Sequence, residues 1–434
     1  MAFNISTHFP QYTQFNPLVP VWCVTPNAGK IIHRFFDTSP FSPSGRYLAL
    51  TRFPFEDRLP KPADVAEIIL VDLETGEEQI VADTRGWDTQ LGAQVQWGVT
   101  DTELFFNDVD TTTWQVFGVR LDPFSGKKKT LDGPVYMISP DGRWSASACL
   151  LRIGKTQAGY GVIIPSERVP INQGAPSDDG IFITDTLTGE SKLLISIKEI
   201  IERAIPELKL EEYENGDFYG FHLKWNPQGD RLMFVLRWLP QDNQNWFNFL
   251  KNKLFKNKKK KRKLNLITMK SDGSDVHVAI PNSEWSKGGH HPNWCPDGET
   301  VMMNLNIHGQ GLRFVTAKYD GSNYGTAINS ILGSGHPTLH PNGKHILTDA
   351  YPHEPLAFGD GTTPIRLIDM KMGTEKTLVR IQTNPLFAGP HRELRVDPHP
   401  AWDRNFQRIA FNACPEGTRK VYIADLTQEV VVEN

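Results

Sequence analysis

The chain has 434 residues, 39% of them hydrophobic and 22% charged, which is enough apolar material for a large folded core and excludes a disordered chain. Its 46 Lys and Arg against 50 Asp and Glu give a formal net charge of -4, which argues against a dedicated nucleic-acid binder. Four cysteines (Cys23, Cys149, Cys295 and Cys414) stand far apart with no CxxC pair, and no run approaches the roughly 18 apolar residues a membrane span needs, so neither a disulfide framework nor a bilayer crossing is expected.

From the N-terminus, MAFNISTHFPQYTQF lacks the basic and apolar regions of a signal peptide. The expectation is a soluble protein, secreted or periplasmic if a signal has been removed and cytoplasmic otherwise. The early strand VPVWCVTP is expected to pair beside the last strands. A short pattern then recurs seven times: a starting residue, often an aromatic or apolar residue three positions on, a small or polar residue, and a turn resembling Pro-Asp-Gly. The copies begin at Thr38, Gln94, Val135, His222, His291, His336 and His399. After each turn comes a β-branched and aromatic run such as RYLALTRF, ELFFNDV, RLMFVLRW, TVMMNLNI or RIAFNA. Another strand ending in an Asp-rich turn follows, as in EIILVDLETGE or GIFITDTLTGE. This is the grammar of a propeller blade, so the fold class is all-β, a single seven-bladed β-propeller over 1–434. VPVWCVTP would close the ring and protect its edge. Uneven spacing between the copies places insertions at about 153–180, at an amphipathic helix over 196–210, and at 239–263. The lysine-rich block 251–263 of the last is either a grip for a polyanion or a solvated loop.

In such a ring the starting residues and the ends of the second strands share one face. Gln94, His222, His291, His336 and His399 would meet there, ringed by Arg52, Asn107, Asp108, Arg152, Arg237, Asn304, Asp349 and Tyr351, with Arg395 and Asp397 on the rim. Three blade-equivalent His-Pro pairs, at His291, His336 and His399, make a candidate divalent-metal site, with Gln94, Asp349 or water completing the sphere. A second option uses Cys295, His340 and Asp403; alternatively each histidine fixes a neighbouring loop. Leu151–Gly161 (LRIGKTQAGYG) places Arg152, Lys155 and Tyr160 near the same face, and with Arg237 forms a cationic wall suited to a carboxylate. Loop-bridging ion pairs are the alternative for those arginines.

The stretches HRFFDTSPFSPSGRYLALTR, LRIGKTQAGYGV, HLKWNPQGDRLMFVLRW, GHPTLHPNGKHILTDAYP and DPHPAWDRNFQRIAFNA resemble the seven-bladed polysaccharide lyases, among them the oligogalacturonate and ulvan lyases, with repeats of the TolB type. That resemblance covers nearly all of 19–426. It implies β-elimination on a uronic-acid-containing, ulvan-like or sulfated polysaccharide, often with a metal ion: zinc, manganese or calcium. By residue type, His222 and Tyr160 would carry the proton transfers with Arg152 and Arg237. Gln94, Arg52, Asp349, Tyr351 and Arg395 would bind substrate, and His291, His336 and His399 the metal. The lyases' histidine and glutamine metal ligands match these positions, with Gln94, only by blade. The expected partner is an acidic polysaccharide or oligosaccharide, with no nucleic acid and no membrane, and the protein a monomer. The alternatives are a glycoside hydrolase on the same scaffold, with Asp108, Asp349 and Asp397 as its candidate carboxylates, and a non-catalytic propeller that binds glycan or protein.

Overall fold

The computed structural model describes residues 5–241, 261–307 and 309–430. Most of the lysine-rich block 251–263 lies outside them. Seven antiparallel sheets of four strands follow one another around a ring, so the protein is a seven-bladed β-propeller. Blade one runs from Ile31–Ile32 to Glu78–Thr84, blade two from Gln96–Trp97 to Lys128–Leu131, and blade three from Met137–Ile138 to Ser191–Ser196. Blade four runs from Gly216–Trp225 to His277–Ile280, blade five from Gly289–Trp294 to Gly325–Thr326, and blade six from Thr338–Leu339 to Thr374–Gln382. Blade seven takes Ala401–Trp402, Arg408–Ala413 and Lys420–Asp425 from the C-terminal end and Val21–Cys23 from the other, Trp22 pairing opposite Ile423. The two ends of the chain therefore share a sheet, which closes the ring.

Inner strands are apolar on both faces because each blade is stacked between two others. Arg408–Ala413, for instance, is buried at every position after its first. Outer strands such as Thr374–Gln382 begin with four exposed positions. The aromatic residue three places into the repeat joins neighbouring blades. Trp97 Nε1 donates to the Pro40 carbonyl at 2.9 Å, Trp225 Nε1 to Met137 at 3.2 Å, and Trp294 Nε1 to Lys224 at 3.2 Å. Trp402 Nε1 reaches the Thr338 hydroxyl at 3.1 Å. Each indole thus buries its ring and satisfies its N–H on the preceding blade.

Two insertions are partly helical. Leu150–Thr156 forms a helix where an extended loop was expected. Ile197–Arg203 is the expected amphipathic helix but stops well short of residue 210. Its start is set by a capping box in which Glu199 N–H donates to Ser196 Oγ at 3.1 Å and Ser196 N–H to Glu199 at 3.0 Å. Pro206, three residues past the end, cannot continue it. Among the described residues no helix is long and apolar enough to cross a membrane.

The channel through the ring is plugged. Between the first strand of blade one and its repeat turn, the chain His33–Asp37 passes into the ring, burying Phe35 completely and Phe36 almost so. Arg34 holds it there, donating from Nε to Gln94 Oε1 at 2.7 Å, from Nη1 to Asp37 at 2.7 Å, and from Nη2 to the Tyr136 carbonyl at 2.6 Å. Lys224 Nζ from blade four reaches Asp37 at 2.9 Å and donates to the Pro292 carbonyl of blade five at 2.8 Å. Burial by itself would raise the Asp37 carboxyl, but Lys224 and Arg34 outweigh it and hold the group far below the usual carboxylate range. Asp37→Asn leaves two buried cations without their counter-charge. It should cost about 3–5 kcal/mol in urea denaturation, whereas a loss under about 1 kcal/mol would show that the triad does not hold the plug.

Candidate functional site

Above the plug a half-open cavity of about 430 Å³ gathers His222, Tyr160 and Arg237 with His290, His291, Tyr351, His353, Glu354, Arg262, Arg392 and Arg395. Two of its histidines also pack on buried Phe35, whose ring lies 5.2 Å from that of His222, 6.2 Å from His291, 5.7 Å from His336 and 4.6 Å from His399. The four repeat-starting histidines therefore meet around one phenylalanine. Three of the starting residues, Gln94, His291 and His399, have left-handed backbone (φ 60°, 59° and 49°). At His336 the preceding Gly335 takes that role, and a Cβ there would collide with Asp349 Oδ1 at 2.1 Å. Gln94 shares the strain while lying outside the cavity, so the conformation belongs to the repeat and its chemical use varies by blade.

His222 is buried, with Nδ1 hydrogen-bonded to the Tyr136 hydroxyl. Burial, then Lys224 and Arg237, depress its pKa well below the usual histidine value, so the ring is neutral. Tyr160 follows the helix Leu150–Thr156 between Gly159 and Gly161, both with left-handed backbone; a Cβ on Gly161 would lie 2.6 Å from the Leu150 carbonyl. Burial pushes the Tyr160 phenol up to about 12, opposed by Arg395, whose Nη2 donates to the Tyr160 oxygen at 3.1 Å. Arg237 stacks over Phe221 at 3.5 Å and donates to the Thr156 carbonyl at 3.0 Å and to Gln157 at 3.2 Å, leaving a buried Nε without a partner. Burial and the nearby Arg262 lower it to about 9.

Beside the cavity, His336, Asp397 and His399 bring one ligand atom each within 4.8 Å of one another, the one such group of His, Cys, Asp and Glu found among the described residues. His336 Nδ1 is engaged by Asp349 at 2.9 Å, and its buried Nε2 has no partner; neither ring nitrogen of His399 has one. One unpartnered imidazole nitrogen from each of His336 and His399, beside the Asp397 carboxylate, fits a divalent ion, and the His336–Asp349 pair is the outer support such a ligand takes. His291 differs from the expectation. Its ring stacks on His336 at 3.9 Å, but Nδ1 is bonded to the Gly335 carbonyl at 2.8 Å and Nε2 lies 3.3 Å from the Tyr351 hydroxyl, and Asp397 stands in the group instead.

Other expected residues lie elsewhere. Gln94 is buried against Arg34 and holds the plug. Arg52 pairs with Glu67 and Glu78 beside a different surface pocket, and Arg152 pairs with buried Asp179 at 3.4 Å. Asp349 serves His336. Asn107 and Asn304 join blades, donating to the Val135 carbonyl at 2.7 Å and the Gly335 carbonyl at 2.9 Å. Asp108 accepts the Arg85 N–H at 2.8 Å. His340 bonds the Phe406 carbonyl, and Asp403 lines the opposite mouth of the ring, so with Cys295 they form no second ligand group. Sequence reasoning left out Tyr136, Lys224, His290, His353, Glu354 and Arg392. The first histidine of GGHHPNW and the histidine of ILTDAYPHE were the available signals for His290 and His353; nothing local marked Tyr136.

No family model matches the chain, and no curated protein matches it in sequence. Among solved structures it is similar to an oligogalacturonate lyase in complex with manganese, at 15% identity and TM-score 0.63, covering 97% of each chain. It is equally similar to the oligogalacturonate lyase from Vibrio parahaemolyticus, at 14% identity and TM-score 0.63 over 98% of each chain. A putative TolB from Agrobacterium tumefaciens also matches, at 15% identity and TM-score 0.39 over 80% of this chain and 94% of that one. At these identities the likeness establishes the shared propeller fold.

Burial, first of all, lowers the pKa of His33 and His290 to about 4 and depresses those of His222, His291 and His399 well below the usual histidine value. The unfolded imidazoles take up protons below about pH 6.5 and the folded ones do not. Stability should therefore fall as the pH drops from 6.5 towards 4, by about 1.4 kcal/mol per pH unit for each such group. Urea midpoints that stay level between pH 7 and 5 would contradict this. Manganese or zinc added to metal-free protein should raise Tm, by the equivalent of about 2.7 kcal/mol at a hundredfold excess over Kd. His399→Ala should remove the rise.

Proposed function

We propose that the chain is a polysaccharide lyase that cleaves a uronic-acid-containing polysaccharide by β-elimination. The observation that carries this reading is the composition of the cavity. Four guanidinium groups (Arg237, Arg262, Arg392 and Arg395) and a single carboxylate, Glu354, line it with four imidazoles and two phenols. Such a wall suits an anionic sugar. The likeness to the oligogalacturonate lyases supports the same class and makes oligogalacturonate the first substrate to test; an ulvan-like polymer is the second.

In this reading the uronate carboxylate lies against Arg237, whose unpartnered Nε offers a donor, and the positive field makes the proton at C5 more acidic. A divalent ion held by His336, Asp397 and His399 would add positive charge for the developing enolate. Tyr160 and His222, with ring centroids 6.1 Å apart, form the proton-transfer pair. The C5–H electrons become the C4–C5 double bond, the C4–O bond breaks, and the leaving oxygen takes a proton. Arg395, bonded to Asp397 at 2.8 Å and to Tyr160, ties the phenol to the ligand cluster.

Glycoside hydrolysis is less well supported, because it uses two opposed carboxyl groups. Asp349 and Asp397 are buried against His336 and Arg395, Asp108 is turned to backbone, and Glu354 is the one acid among the cavity's lining residues.

Incubation of manganese-loaded protein with oligogalacturonate, polygalacturonate and ulvan should produce the ultraviolet absorbance of an unsaturated uronate on at least one of them. Tyr160→Phe and His222→Ala should each slow it by about a hundredfold or more. No absorbance on any uronate polymer would overturn the proposal.

A further inference from the structure

One contact in the site has a direction that burial decides. Tyr136 immediately precedes the first strand of blade three, is 1% exposed, and its hydroxyl meets a single partner among the described residues, Nδ1 of His222. No other hydrogen-bond acceptor contacts that oxygen among the described residues. If the imidazole donated from Nδ1, the phenolic hydrogen would be buried with nowhere to go, at a cost of roughly 1–3 kcal/mol. If the phenol donates, both groups are satisfied and the imidazole hydrogen resides on Nε2. The charged form of the ring is disfavoured by its setting: the Phe35 face lies at 5.2 Å, Phe221 at 3.9 Å, and the cations Lys224, Arg237 and Arg34 surround it. Tyr136 is itself immobilised by the plug, because Arg34 donates to its carbonyl at 2.6 Å and lies 5.1 Å over its ring.

We propose that Tyr136 is a positioning residue that holds His222 as the neutral Nε2–H tautomer, so that the imidazole offers the cavity a hydrogen-bond donor and not a proton acceptor. This rests on the lyase reading for its chemical meaning and refines it. A neutral imidazole N–H suits the carboxylate oxygen that gains charge as the C5 proton leaves, where a donor that does not ionise strengthens its bond in the transition state. The proton-accepting member of the pair is then Tyr160 in its phenolate form, whose oxygen receives a hydrogen bond from Arg395, and the phenol formed by taking the C5 proton hands that proton to the leaving oxygen. The tautomer is decided three blades from the segment that anchors Tyr136: Arg34 in blade one fixes Tyr136 in blade three, which fixes His222 in blade four.

The test is nitrogen-15 NMR of histidine-labelled full-length protein without substrate, with the His222 ring assigned by its loss in His222→Gln. The expected spectrum shows a protonated Nε2 and a bare Nδ1 that do not change between pH 6 and 8. A protonated Nδ1, or an imidazolium in that range, overturns the proposal. Tyr136→Phe removes the one donor to Nδ1 among the described residues, so His222 should become a mixture of tautomers; an unchanged Nε2–H pattern in a folded variant also overturns it. If Tyr136→Phe does not fold, the wild-type spectrum alone decides. The spectrum needs no turnover, so an Nε2–H signal together with inactivity on every uronate polymer would defeat the lyase reading and leave the tautomer assignment standing. Where activity is found, Tyr136→Phe should lower kcat about tenfold with little change in KM.

Discussion

Asp37 sits inside the ring with almost no exposure, and the two cations that neutralise it come from different parts of the chain. Arg34 belongs to the same short plug, and Lys224 to blade four. Three buried charges would be ruinous singly, so each requires the others in place. The arrangement closes the channel and fastens blades one, two, three and four to one another through Gln94, Tyr136 and Lys224. It also fixes Phe35, on which all four repeat-starting histidines pack.

The repeat serves two purposes that sequence alone does not separate. Its aromatic position gives indoles that seal each blade to the one before, a purely structural task. The residues closing the second strands do similar work: Asn107, Asn304 and Asn412 each secure the segment that opens the next blade, with Asn412 accepting the His33 N–H at 2.9 Å. The starting position is different. It carries left-handed backbone at several blades whatever residue stands there, and only where that residue is histidine does it contribute to the cavity or to the ligand cluster. A strained scaffold position has been put to different uses around one ring.

Electrostatically the site is divided. On one side, arginines with a single acid among them favour an anionic ligand. On the other, buried histidines offer nitrogens to an ion or a hydrogen to a substrate. Arg395 and Asp397 form the hinge between the two, joining Tyr160 to the ligand group.

The fold was largely legible. Seven copies of a turn, each followed by runs of alternating and β-branched residues, specify short antiparallel strands through local preferences, and VPVWCVTP was recognisable as the strand that closes the ring. The repeat also marked His222, His291, His336 and His399 as neighbours, since equivalent positions in a ring converge by geometry. What it did not determine was which of their nitrogens remain free. His291 spends one on the Gly335 carbonyl, while Asp397, two residues before His399, turns its carboxylate towards the cluster. Arg52, Arg152 and Gln94 were the right residue types on the expected end of the ring, but each found a buried or neighbouring partner first. Such choices depend on distances of a few ångströms between residues tens to hundreds of positions apart, as with Tyr136 and His222 or Lys224 and Asp37. Local sequence encodes the strands and their turns, but the pairing of polar groups inside the ring is decided by desolvation, which exists only once the ring has closed.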